Sequence, residues 1–112
     1  MSDLHLSICI VNWNTRDLLK DCLESVYSDP ESVRWEVIVV DNASSDDSAA
    51  MVQAHFPAAL LVSLNANEGF VGANNIAMGV ARAPYWLLLN SDTRVEQGAL
   101  GQLVAFMEET PE

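Results

Sequence analysis

The sequence predicts an α/β fold in which a parallel sheet of about four strands carries helices on both faces. Two observations lead there. Strand-length apolar runs alternate four times with stretches whose apolar residues recur at helical spacing. The runs are also aliphatic at consecutive positions, as strands buried on both faces are. Strands separated by helices lie parallel and are joined by right-handed crossovers.

Leu6 to Asn12 reads as the first strand, and Leu18, Leu19, Cys22, Leu23 and Val26 follow at helical spacing behind an Asn14 or Thr15 cap. The Asp29-Pro30 step ends that unit. Trp35 to Asp41 is the second strand; Ser44 or Ser45 caps a helix whose apolar stripe runs through Met51, Val52 and Phe56 until Pro57 closes it. Ala59 to Leu64 is a shorter third strand. The glycine-bearing loop from Asn65 to Gly72 leads into a helix with Ala73, Ile76, Ala77 and Val80 inward, and Ala83-Pro84 breaks it. Tyr85 to Asn90 is the fourth strand. Leu100, Leu103, Val104 and Met107 give the last helix its buried stripe, and Pro111 follows. The layering is Rossmann-like.

Composition narrows the function. The 112 residues hold 16 acidic and 5 basic side chains, a net charge of −11, and half are hydrophobic, which suits one acidic globular domain. With Arg16, Lys20, Arg34, Arg82 and Arg94 as its cations, such a chain repels phosphate backbones and anionic membranes, so nucleic acid is not an expected partner. No apolar run is long enough for a transmembrane segment, and the N-terminus lacks the features of a signal peptide. A cytoplasmic location is expected. Cys9 and Cys22 match no metal or redox spacing and read as buried free thiols. His5 and His55 fall at element ends without a serine, cysteine and acid set around them.

In a parallel α/β sheet ligands bind beyond the carboxyl ends of the strands, near the point where strand order reverses. Three strands end there in polar groups: Asn12, Asp41-Asn42, and Asn90-Ser91-Asp92. Any one is an ordinary turn residue; three on one edge point to a site. Asp41 closes four aliphatic residues, where its carboxylate suits a pyrimidine imide N–H. Asp46 and Asp47 read as solvated acids in the first turn of the next helix. Asn90-Ser91-Asp92 offers one carboxylate and two neutral oxygens, enough for a hard cation when a diphosphate supplies the remaining ligands. Asn67-Glu68-Gly69-Phe70-Val71-Gly72 has glycines for close backbone approach and opens a helix whose N-terminus faces an anion, but it is neither a dinucleotide fingerprint nor a P-loop. Trp13 either stacks on a base or packs on the first helix.

Ile10-Val11-Asn12-Trp13-Asn14, Val37-Ile38-Val39-Val40-Asp41-Asn42-Ala43-Ser44-Ser45-Asp46, Asn67-Glu68-Gly69-Phe70 with Ala73-Asn74-Asn75, and Leu87-Leu88-Leu89-Asn90-Ser91-Asp92-Thr93 together resemble the family 2 glycosyltransferases of the GT-A fold, most nearly a rhamnosyltransferase-like branch. The resemblance covers essentially the whole chain. It implies inverting transfer of a sugar from a nucleotide diphosphate sugar, UDP- or dTDP-linked, to an acceptor hydroxyl, in cell-surface polysaccharide biosynthesis. By resemblance Val11 and Asn12 line the nucleotide pocket, where Trp13 is counted too as a stacking residue, Asp41 pairs with the pyrimidine, and Asn67 and Asn74 lie near the base or phosphates. Asn90 and Ser91 belong to the D-x-D site, and Asp92 holds a divalent cation, Mg²⁺ or Mn²⁺. Asn90 replaces the first acid of that motif, and Asn74 stands where many relatives have arginine. The family's general base and acceptor site come from a half beyond the fourth helix, so the chain is expected to be a donor-binding part, incomplete for catalysis. In a longer context it would sit at the inner membrane periphery. An open sheet edge is expected to promote self-association. The alternative is a non-enzymatic regulatory or interaction domain that keeps the fold. A receiver domain fits poorly, because Asn12 stands where its acidic pair would be. A nucleotidyltransferase lacks its basic glycine-rich signature here.

Overall fold

Four strands and four helices alternate strictly in the computed structural model, which describes residues 4–29 and 34–109. They are β1 (Leu6–Asn12), α1 (Arg16–Tyr27), β2 (Trp35–Asp41), α2 (Ser48–His55), β3 (Leu60–Ser63), α3 (Gly69–Val80), β4 (Tyr85–Asn90) and α4 (Ala99–Glu109). All ladders are parallel, and the strand order is β3-β2-β1-β4. Chain order therefore runs outward from β1 through β2 to β3 and then jumps back to β4 on the other side of β1. The switch point lies between β1 and β4.

The central strands form because their residues are aliphatic on both sides. Leu6, Ile8 and Ile10 of β1 and Val37 and Val39 of β2 pack under α1, α2 and α4, joined by Leu19, Leu23, Val26, Val52, Leu100 and Val104. On the opposite face Cys9, Val11, Ile38 and Val40 meet α3 through Ala73 and Ala77, whose small side chains let the helix approach closely.

Helices thus cover both faces, as expected, but unequally. α3 lies over β1 and β2, and on its side of the sheet β4 presents an uncovered strip where Trp86 and Leu88 are about half exposed, at 49% and 46%. Val80, expected inward, is exposed near the end of α3, and Leu18, expected in the α1 stripe, is exposed too. The third strand is shorter than Ala59 to Leu64, and α3 starts at Gly69, inside the expected loop. The stops expected at Pro30 and Pro111 lie outside the described residues.

At the opposite end of the strands from their carboxyl edge, buried Ser7 donates to Glu36 Oε2 at 2.5 Å and accepts from the Ala83 amide at 3.0 Å. Glu36 also accepts from the Arg82 backbone and from its guanidinium. This cluster ties the entry of β4 to β1 and β2.

Candidate functional site

The polar groups expected along the carboxyl edge do converge, in two tiers. The lower tier is buried. Asn12 donates from Nδ2 to Asp41 Oδ1 at 2.9 Å, and Ser44 donates to the same carboxylate from its hydroxyl at 2.6 Å and its amide at 3.1 Å. Asn14 N donates to Ser44 Oγ, and Ser45 N donates to Asn14 Oδ1. The Asp46 carboxylate accepts from Arg16 N at 2.9 Å and from the amide and hydroxyl of Ser48. One loop thereby caps the helix that follows the other.

These contacts correct several expectations. Neither Thr15, Ser44 nor Ser45 caps a helix through its side chain; Asp46 serves both α1 and α2, with Asp47 at the α2 N-cap in the left-handed region at φ 66°. Asp46 is therefore a bound acid rather than a solvated one. Burial raises its carboxyl pKa, but the bonds from Ser48 and Arg16 outweigh that and hold it below the usual carboxylate value. Asp41 is only 2% exposed, with both oxygens engaged, and does not line the cleft, so it stands behind the place where it was expected to meet a base.

The upper tier is an open cleft of about 380 Å³ lined by Val11, Trp13, Thr15, Leu18, Asn42, Asn67, Phe70, Asn90, Ser91 and Asp92. It sits at the switch point, where a parallel sheet binds its ligands. Val11, Trp13, Asn67, Asn90, Ser91 and Asp92 were legible in the sequence. Asn12 lies in the tier beneath, and Asn74, 6% exposed, is turned into the packed face of α3 rather than the cleft. Trp13, at 55% exposed, lines the opening, and Phe70, at 57%, also lines it. No lysine or arginine is among the lining residues.

Thr15, Leu18 and Phe70 are additions, and Asn42, expected with Asp41 at the polar end of the second strand, lines the cleft too. Asn42 accepts from Glu68 N at 2.7 Å and donates to Gly69 O at 3.1 Å, which clamps the turn before α3 to the end of β2. Asn67 Oδ1 accepts from Gly69 N at 2.7 Å. Two of the amides at the α3 entrance are thus taken by asparagine side chains, and the helix end is less available to an anion than its sequence implied. Gly69 is favoured by its φ of 78° and not by crowding, since a Cβ there would meet only open space. The signal for Asn42 was its place beside Asp41 at the polar end of the second strand.

On the far wall Asn90, Ser91 and Asp92 form a turn closed by Thr93 N donating to Asn90 O at 3.0 Å. Ser91 Oγ lies 2.7 Å from Thr15 Oγ1, which lies 2.7 Å from Asn12 Oδ1. Asp92 and Asn90 are exposed. Among the described residues no three histidine, cysteine or acidic side chains cluster to hold a metal unaided, so a cation at Asp92 needs oxygens from a ligand. No helix among the described residues is long and apolar enough to cross a membrane. Burial pushes both thiols up, to about 11 at Cys9 and about 11 at Cys22, with Glu36 and Asp92 respectively adding to the shift. His5 accepts from Arg34 N, and His55 ends α2 on the surface.

A parallel α/β sheet with an open, cation-free cleft at its switch point and one acid on the cleft wall defines a class of ligand-binding α/β domain. The family model described as glycosyl transferase family 2 matches residues 7–112, and the chain belongs to that family. It is 32% identical over 100 residues to the succinoglycan biosynthesis protein ExoO of Rhizobium meliloti, an alignment covering 88% of this chain and 28% of that protein. Among solved structures, TarS 1-349 of S. aureus in complex with UDP-GlcNAc superposes with a TM-score of 0.81 at 24% identity, over 95% of this chain and 32% of that one. The mannosyltransferase PcManGT of Pyrobaculum calidifontis in complex with GDP-Man and Mn²⁺ gives 0.82 at 23%, over 96% and 33%. At these identities the superpositions establish the shared GT-A architecture. The chain spans about a third or less of the length of these proteins.

Proposed function

We propose that this chain is the donor-binding part of a glycosyltransferase that takes a nucleotide diphosphate sugar for inverting transfer to an acceptor hydroxyl. The observation that carries the reading is the cleft itself. It has aromatic faces, Trp13 and Phe70, and the Asn90-Ser91-Asp92 turn on its wall, with no basic residue lining it. Aromatic faces suit a nucleobase, since every base presents a π-face that can stack on them. The lack of lysine and arginine suits a diphosphate whose charge is met by a divalent cation instead. The family membership and the nucleotide sugars held by structures of the same fold support the same reading.

In this reading the base rests against Trp13, with Val11 and Asn67 beside it. Asn67 keeps its amide N–H donors uncommitted among the described residues. Asn42 holds the turn that carries Asn67 and Phe70, and Asp41 with Asn12 fixes the floor. Asp92, with the neutral oxygens of Asn90 and Ser91, would hold Mg²⁺ or Mn²⁺. Such a cation supplies Lewis-acid neutralisation of the charge that develops on the leaving diphosphate. The acceptor hydroxyl and the base that deprotonates it are assigned to no residue of this chain. The open edge of β4, with Trp86 and Leu88 exposed beside it, belongs to the same proposal as a surface for self-association; a monomeric mass by light scattering at high concentration removes that part.

Calorimetric titration with UDP and dTDP, with and without Mn²⁺, tests the function. Binding that strengthens with Mn²⁺ and loses that gain in Asp92→Ala supports it. Absence of binding in every condition overturns it in favour of an interaction domain that retains the fold.

A further inference from the structure

We infer that the Thr15 hydroxyl is a positioning residue, the middle of a directional hydrogen-bond relay that runs from buried Asp41 through Asn12 and Thr15 to Ser91. The relay turns the Ser91 lone pairs toward the cleft. This inference rests on the donor-binding reading and assigns within it a residue that touches neither the base nor the cation.

The direction follows from counting protons. Asp41 accepts, so Asn12 turns its Nδ2 donor toward the carboxylate at 2.9 Å and its Oδ1 acceptor toward Thr15. Thr15 has a single hydroxyl proton, and it goes to Asn12 Oδ1 at 2.7 Å. The 2.7 Å contact between Thr15 and Ser91 must then be donated by Ser91. With its proton committed to Thr15, the Ser91 oxygen can serve a ligand or cation in the cleft only as an acceptor, which is the polarity a hard cation needs.

The anchor is firm and the turn is not. Asn12 is fully buried and Asp41 nearly so, whereas β4 pairs with β1 only as far as Asn90. Beyond that point Ser91 to Thr15 is the side-chain hydrogen bond that ties the turn sideways to the sheet among the described residues. Thr15 also precedes α1 without capping it through its side chain, so removal of the hydroxyl spares the helix start.

The test is UDP binding to the 112-residue chain by calorimetry, in Mn²⁺ and in EDTA, for wild type, Thr15→Val, Thr15→Ser and Ser91→Ala, with thermal melts to follow folding. One neutral hydrogen bond lost predicts that the Mn²⁺-dependent gain in UDP affinity, measured for each variant relative to its own affinity in EDTA, falls about fivefold in Thr15→Val. Thr15→Ser restores the gain, Ser91→Ala reproduces the loss, and the double variant Thr15→Val/Ser91→Ala loses no more than either alone. A wild-type gain in Thr15→Val, or a loss in Thr15→Ser equal to that in Thr15→Val, overturns the relay while leaving donor binding in place. Should Thr15→Val fail to fold, an undiminished gain in Ser91→Ala overturns it equally. A wild type that binds no UDP overturns the donor-binding reading and the relay together.

Discussion

Replacing Asp41 by alanine separates two roles that one carboxylate at the end of a strand could have. The structure gives it three internal donors, Asn12 Nδ2 and the amide and hydroxyl of Ser44, at 2% exposure. The substitution therefore removes hydrogen bonds to a charged group and leaves the buried Asn12 amide only its longer 3.4 Å contact to Ser44 Oγ. Each such loss costs about 1–3 kcal/mol, and since neighbouring bonds share partners the sum for Asp41→Ala is about 3 kcal/mol. For a domain of this size about 4 °C of melting temperature goes with each kcal/mol, so the midpoint should drop by about 12 °C. Asp92→Ala, at an exposed position, should stay within about 0.5 kcal/mol of wild type. Urea and thermal denaturation of both variants, followed by circular dichroism, give the comparison. A melting temperature for Asp41→Ala within about 2 °C of wild type, combined with lost UDP binding, would refute the reasoning, because it describes a carboxylate that faces ligand rather than protein.

Other outcomes follow from the same geometry. Trp13→Ala should weaken UDP binding by about 1–3 kcal/mol in calorimetry, the usual worth of one stacked base, while leaving the melting temperature nearly unchanged because the ring is exposed. The Glu36 carboxyl is raised by burial but lowered further by its bonds from Ser7 and Arg82, so its folded pKa lies below the ordinary 4.5. A depressed acid stabilises the fold above its unfolded pKa and loses that contribution as pH falls through the folded value. Melting temperature should therefore decline below about pH 4.5, and Glu36→Gln should flatten that decline. With both thiols buried and pushed to about 11, Cys9 and Cys22 should react with a thiol reagent at pH 7 only after unfolding; prompt reaction of the native chain would place one of them at the surface.

Much of the fold was legible because buried parallel strands write themselves as aliphatic runs. β1, β2 and β4 begin and end at the residues their runs suggested. β3 was harder, since an edge strand with half-exposed residues carries a weaker pattern. α1 starts directly after Thr15 as expected, but the side chain that caps it differs. Ser44, Ser45 and Thr15 have the right chemistry for local caps, yet the cap of α1 is the Asp46 carboxylate, 30 residues further along the chain. Local propensity cannot reveal a bond made between loops. The cleft shows the same division. Asn90, Ser91 and Asp92 follow directly from their position after a strand, but that Asn12 and Ser44 hold the Asp41 carboxylate while Asn42 lines the cleft depends on bonds between residues distant in the chain. Leu18 was drawn into the α1 stripe by spacing alone, whereas the cleft beside it leaves that part of the helix open.

The strand order also sets a timetable for the nascent chain. Leu6 of β1 pairs with Trp35, 35 − 6 = 29 residues away, but with Tyr85 of β4 across 85 − 6 = 79 residues. Closing the longer loop is entropically costlier and slower. The two walls of the cleft are therefore made at different times: the Trp13 and Asn42 side can assemble with the first two strands, while the turn bearing Asp92 must wait for β4 to leave the ribosome and cross to the far side of β1. A ligand gripped by both walls has no hold on the earlier intermediate. Its binding reports completion of the whole sheet and, by mass action, favours the last strand's arrival.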